Sequence, residues 1–291
     1  SRHSTLGSGP LGTGFNKGFV LAVNGWWFDV LAGGGIGVGL PAGTPSITGR
    51  GIRTMKMVYP IFTAGLRQIR RDGMLLFLLP SPFIIGAVFR LLLPWADVIF
   101  QRELSFSLAP WYQLSDAFLI MITPCMVAMV TSFLMLEELD EGLHLYYAVT
   151  PAGGENYLTA RLLLPLVWAL SCSLLVEFIL GLAAFSWWQI VVAALLSTIH
   201  GGALSLMVVV FSHNRVEGLA YAKLMGVFTL GLPAVWLVKP PYQYLAAILP
   251  SFWIGKILAQ ATPVTVVGGV LVTVCWAYIL LKLFLKKTIL S

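Results

Sequence analysis

Six apolar runs punctuate the chain, at about Met74–Leu93, Ala117–Leu136, Leu162–Phe185, Ile190–Phe211, Leu219–Val238 and Val264–Phe284. Each reaches or approaches the roughly 20 residues an α-helix needs to cross about 30 Å of hydrocarbon. Pro80, Pro82, Pro124, Pro165 and Pro233 fall in or near these runs, which neighbouring helices tolerate by re-satisfying the backbone. Ahead of the first run, Pro60–Asp72 follows a helical period. Ile61, Phe62, Gly65, Leu66 and Ile69 share one face, and Thr63, Arg67, Arg70 and Arg71 the other. That pattern predicts an amphipathic helix in the headgroup layer, which also serves as the positive flank of the first span.

Two connections exceed a tight turn. Residues 94–116 carry Trp95, Trp111 and Tyr112, as expected of an interfacial belt. Residues 239–262 open with Lys239-Pro240-Pro241 and hold Tyr242, Tyr244, Leu245, Ile248, Phe252, Trp253 and Ile254. Pro250 and Lys256 interrupt this stretch too much for a span, yet it is too apolar for water. The expected architecture is an all-α polytopic membrane protein. Six transmembrane helices follow an amphipathic interfacial helix, and a short outer-leaflet helical segment precedes the last span.

Composition agrees with that class. The chain is 58% hydrophobic and 10% charged, with a mean hydropathy of +0.88, far from the soluble norm. Its net charge of +6 does not indicate a nucleic-acid partner, because the basic residues sit at the ends of apolar runs, where orientation and anionic lipid account for them. Placing the amino terminus inside puts Arg67, Arg70, Arg71, Arg161, Arg215, Lys223, Lys282, Lys286 and Lys287 on or near the cytoplasmic side. Arg102, Lys239 and Lys256 then lie outside, so both termini are expected in the cytoplasm. Cys125, Cys172 and Cys275 all fall in apolar runs without C-x-x-C spacing, which reads as buried free thiols and no metal site. Residues 1–54 read as a glycine-rich extension, disordered or upstream sequence, and residues 55–291 as the membrane domain.

The densest chemistry is an acidic knot, Glu137-Glu138-Leu139-Asp140-Glu141-Gly142, at the exit of the second run. Four of the chain's twelve carboxylates lie in these few positions, which marks a water-exposed loop. Leu143, Tyr146 and Tyr147 then recur at helical spacing before Thr150-Pro151, predicting a short helix with an aromatic face. Such a helix, held between two spans, either transmits force from a soluble partner or packs on its own protein.

In order and spacing, three stretches resemble the membrane subunit of bacterial and archaeal type-2 ABC exporters. They are Leu66–Asp72, Glu137–Pro151, and Asn214-Arg215-Val216-Glu217-Gly218-Leu219-Ala220 with the later Ile248–Trp253. The resemblance covers about residues 57–288. It departs at Leu139, where the family commonly has a basic residue, and at Leu143, where it has threonine. It implies a permease in the prokaryotic cell (inner) membrane, paired with a second copy or a sister permease and resting on a separate ATPase subunit. The chain would form the export path for a substrate the sequence does not specify, and would bind ATP only through its partner. In keeping with this, no G-x-x-x-x-G-K-[ST] phosphate loop occurs. The residues implied to meet the ATPase are Arg67, Arg70, Arg71, Glu137, Glu138, Glu141, Gly142, Tyr146, Tyr147, Thr150 and Pro151. Glu137, Glu138 and Glu141 pair either with that partner or with Arg67, Arg70 and Arg71. Reversing Glu137 and Glu138 to Lys is expected to uncouple export without preventing insertion.

Glu177 in the third run and His200 in the fourth are ionisable groups at membrane depth, functional candidates by default. They line a pathway or sense protons together, or they simply fasten two helices. The alternative they raise is a proton-coupled secondary transporter. An intramembrane protease of the Glu-Glu type is excluded, because the arginine it needs four positions on is replaced by Gly142. The chain is therefore expected to transport and not to catalyse.

Overall fold

In the computed structural model, the described residues are Tyr59, 62–142 and 159–290. The glycine-rich stretch 1–54 and the expected Leu143–Thr150 helix, with Tyr146, Tyr147, Thr150 and Pro151, lie outside them. Among the described residues, six helices are long and apolar enough to cross a membrane: Gly73–Leu104, Ala109–Asp140, Ala160–Leu180, Trp187–Phe211, Arg215–Leu237 and Pro263–Lys287. They alternate in direction, so one end of the bundle carries the acidic knot and the other carries the turn after Leu180. The second and fourth spans bury 83% and 78% of their most apolar stretches, and the remaining four 17–28%. Two central helices are thus ringed by four that face outward.

The prolines explain how the central pair is fastened. Pro124 cannot donate to the carbonyl four residues earlier, that of Ile120. Ser173 of the third span takes the vacant place, its Oγ donating to Ile120 O at 2.9 Å. On another side Gly201 of the fourth span faces the same kink, where a Cβ would sit 2.9 Å from Pro124 O. Only glycine permits that approach. Farther along, Ser132 Oγ lies 3.1 Å from Ser205 Oγ, joining the second and fourth spans by a small-residue contact. Pro82 similarly frees Leu78 O, to which Ser81 Oγ donates at 2.6 Å.

Three expectations need correction. The first helix does not end at Leu93; it continues through Pro94 to Leu104, so the supposed long connection is mostly helix. Hydropathy falls there because the helix leaves the apolar zone, not because it stops. Asp97 then turns the chain back, accepting from Leu108 N at 2.5 Å and Gln101 Nε2 at 3.0 Å. Second, the third helix closes at Leu180, five residues before the expected Phe185. Third, Cys125 and Cys172 are buried but Cys275 is exposed on the last span.

Between the fifth and sixth spans, where a short helical segment was expected, lie a 3-10 turn, Tyr242–Ile248, and the helix Pro250–Ala259. Most of the second is buried in protein. Ser251 Oγ donates to Phe228 O of the fifth span at 2.6 Å. Gln189 Nε2 of the fourth donates to Ile257 O at 3.0 Å.

Candidate coupling site

The knot is the last helical turn of the second span, not a loop. Helix Tyr112–Asp140 runs through Glu137 and Glu138 and stops at Gly142, whose φ of +68° is the left-handed cap geometry that glycine favours. Neighbouring side chains on a helix diverge by roughly 100°, so the two glutamates serve different partners. Glu138 is buried, at 1% exposure. It receives both Nε (3.0 Å) and a terminal nitrogen of Arg161, at the foot of the third span. Both side chains are nearly inaccessible, and such a two-point carboxylate–guanidinium pair is strongly directional.

Arg161 also holds the amphipathic helix, residues 62–71. A Cβ on Gly65 would collide with its guanidinium, so glycine here admits the charged group between backbones. Gly65 and Ile69 are buried and Arg67, Arg70 and Arg71 exposed, as the periodicity predicts, although Leu66 is exposed as well.

Glu137 turns instead to Arg215, which opens the fifth span. Arg215 donates to Glu137 Oε2 at 3.3 Å and, through its other terminal nitrogen, to Asp72 Oδ2. Its backbone N–H donates to Asp140 Oδ2 at 3.2 Å, and its guanidinium lies over Phe133, 5.9 Å from the ring centre. Asp72 also caps the first span, its Oδ1 accepting Met74 N at 2.9 Å and Leu75 N at 3.3 Å. The Arg215 guanidinium holds the Asp72 carboxyl below its usual range, against a smaller opposing effect of burial. Gly218, one turn into the fifth span, abuts Leu136.

Within the chain, the arginines that meet the knot are not the ones expected. Glu137 and Glu138 pair with Arg215 and Arg161, and among the described residues Arg67, Arg70 and Arg71 form no ion pair. Arg67 and Arg71, with Gln68, Asp72, Glu137 and Glu141, line a cleft of about 710 Å³. Leu139 is half-buried against the core. Sequence reasoning assigned no partner to Asp72, Arg161 or Arg215. The signals were their position at the feet of spans and, for Asp72 and Arg215, their place in the stretches that carry the family resemblance.

Glu177 and His200 are not brought together. Glu177 is three residues from the end of its helix, whereas His200 is thirteen residues into the next. At 1.5 Å per residue their depths differ by roughly 15 Å. His200 is buried beside a cavity of about 10 Å³, with Met207, Phe228 and Trp276, and among the described residues its Nε2 has no hydrogen-bond partner. Glu177 lies instead beside Gly181.

Residues 65–283 match the model of the family described as fluoroquinolones export permease protein Rv2686c-like. Two relatives bear that kind of name: fluoroquinolones export permease protein Rv2686c of Mycobacterium tuberculosis (strain ATCC 25618 / H37Rv), and MT2760 of strain CDC 1551 / Oshkosh. Each is 24% identical over 236 residues, covering 76% of this chain and 91% of the relative. No solved structure matches the chain. With six spans, a charged cluster joining four segments, and a family match across most of its length, the chain belongs to the Rv2686c-like family of export permeases.

Proposed function

We propose that this chain is the permease subunit of an ATP-driven exporter, coupled at its knot end to a separate ATPase in the cytoplasm. The observation that carries this is the cleft between residues 62–71 and the knot. Its walls are bound to the first, second, third and fifth spans by Arg161 and Arg215, while Arg67, Arg71 and Glu141 remain exposed. A partner pressing there acts on four segments at once. Exposed ion pairs contribute about 0–1 kcal/mol each, so the exposed charges set the partner's register more than its affinity. By the sequence resemblance, Leu143–Thr150 and Pro151, which follow in the chain, also belong among the residues that meet the ATPase. A second permease, identical or a sister chain, supplies the other half of the path. Both termini lie in the cytoplasm, as the Lys/Arg distribution favours.

The first cargo to test is a fluoroquinolone, the class in the relatives' names. Purification from membranes in mild detergent is expected to retain an ABC ATPase whose hydrolysis rises with the exported compound. The Arg67→Glu, Arg71→Glu double variant should reach the membrane normally and retain that ATPase, yet lose the compound-driven rise in its hydrolysis. Purification of the wild type without any ATPase, together with export that survives ATP depletion, would refute the proposal. The proton-coupled alternative loses its basis in a Glu177–His200 pair, because those groups stand at different depths.

A further inference from the structure

At the end opposite the knot, two carboxyl groups are buried against one turn. Asp116 of the second span is 0% exposed and Glu177 of the third 5%. Asp116 Oδ2 accepts the backbone N–H groups of Leu182, at 2.6 Å, and of Ala183. The Glu177 carboxyl presses on the same turn, since a Cβ on Gly181 would lie 2.9 Å from its Oε1. Gly181 is therefore needed for close approach. Among the described residues, Asp116 Oδ1 and Glu177 Oε2 are both buried without a hydrogen-bond partner.

The local charges do not cancel. Arg90 of the first span donates to Gly181 O at 2.7 Å and is close enough to act on Asp116. Asp116 in turn acts on Glu177. From the other packed elements, the fourth span offers only His200, roughly 15 Å away in depth, Arg161 stands at the opposite end of the third, and Lys256 of helix Pro250–Ala259 is turned to Gln260 Oε1 at 3.5 Å and to the Tyr244 ring. Two carboxylates and one guanidinium leave one surplus negative charge. An uncompensated buried charge costs several kcal/mol, and two adjacent carboxylates resist ionising together.

One proton resolves both problems. Placed on Glu177 Oε2, it would remove the surplus charge, and the new O–H would have Asp116 Oδ1, on the same turn, as its acceptor. A single bond would then satisfy both orphaned atoms. A metal ion would require several further oxygen ligands. The proton belongs on Glu177 because Asp116 already has two backbone donors that favour its ionised form.

We propose that Asp116 and Glu177 form a proton-holding clasp on the 181–183 turn, with Glu177 carrying the proton and Asp116 the charge. This site is independent of ATPase coupling and stands even if that reading fails. Infrared spectra of the full chain in nanodiscs at neutral pH should show a deuterium-sensitive carboxylic-acid C=O band that Glu177→Gln removes. The glutamine amide is neutral and donates in the same place. Its thermal midpoint should therefore fall within about 2 °C of wild type, a change of up to about 1 kcal/mol. Glu177→Ala, which leaves Asp116 Oδ1 orphaned, should lose several degrees. Either a wild-type spectrum without a band removed by Glu177→Gln, or a Glu177→Gln midpoint as low as that of Glu177→Ala, overturns the proposal.

Discussion

Replacing Glu138 by alanine strands the buried Arg161 guanidinium between the second span and residues 62–71. The pair is nearly inaccessible and makes two hydrogen bonds, one of them 3.0 Å long. Two unit charges about 3 Å apart attract by about 5–6 kcal/mol at an effective dielectric of about 20. Desolvation of the pair offsets much of this, but removing one partner forfeits the attraction while leaving the other charge buried. The expected loss is about 3–5 kcal/mol. For a chain of this size that corresponds to a fall of about 6–20 °C in thermal midpoint. Tryptophan fluorescence of the protein in nanodiscs gives the assay. Glu138→Leu with Arg161→Met should recover most of the loss, because removing both charges also removes the uncompensated one. The expectation that Glu138→Lys inserts and merely uncouples is revised accordingly, since it would set two cations together in a closed site. A loss below about 1 kcal/mol for Glu138→Ala, or a double variant weaker than the single, would refute the reasoning.

Two further outcomes follow from the same geometry. The Arg215-held Asp72 carboxyl titrates below its unfolded value of about 3.9, so its stabilisation is fully present above that pH and fades as pH falls through the lower folded value. The stability gap between wild type and Asp72→Asn should stay flat from about pH 5 to 8 and close only in acid below about pH 4; a gap that closes near neutrality would count against the Arg215 pairing. Ser173→Ala orphans the Ile120 carbonyl and should cost about 1–3 kcal/mol in nanodisc unfolding. Adding Pro124→Ala restores an intrahelical donor, so the two losses should sum to more than the double variant shows; strict additivity would refute the assigned role of Ser173.

The spans were legible because lipid demands long apolar runs, and hydropathy records that demand directly. The amphipathic period of residues 62–71 was legible for the same reason, with Gly65 and Ile69 turned inward as expected. Beyond Pro94 the signal failed. A helix outside the hydrocarbon needs no apolar run, and the capping role of Asp97 has no periodic signature. The knot was visible as charge density, yet the partners of Glu137 and Glu138 lie 78 and 23 residues away, a separation that no local pattern encodes. Glu177 was rightly singled out as unusual, but sequence position suggested His200 as its neighbour when the fold supplies Asp116. Depth along a hairpin follows from where its helices end, and Gly181 ended the third span earlier than hydropathy indicated.

The adjacency of Glu137 and Glu138 has a mechanical meaning. Rotating the second span about its own axis draws one glutamate toward its arginine while pulling the other away, so twist in either sense meets resistance. Rigid-body sliding that carries Arg161 and Arg215 along with the helix leaves both bonds unstretched. The two residues thus act as a keyway, holding the second span in rotational register with the third and fifth.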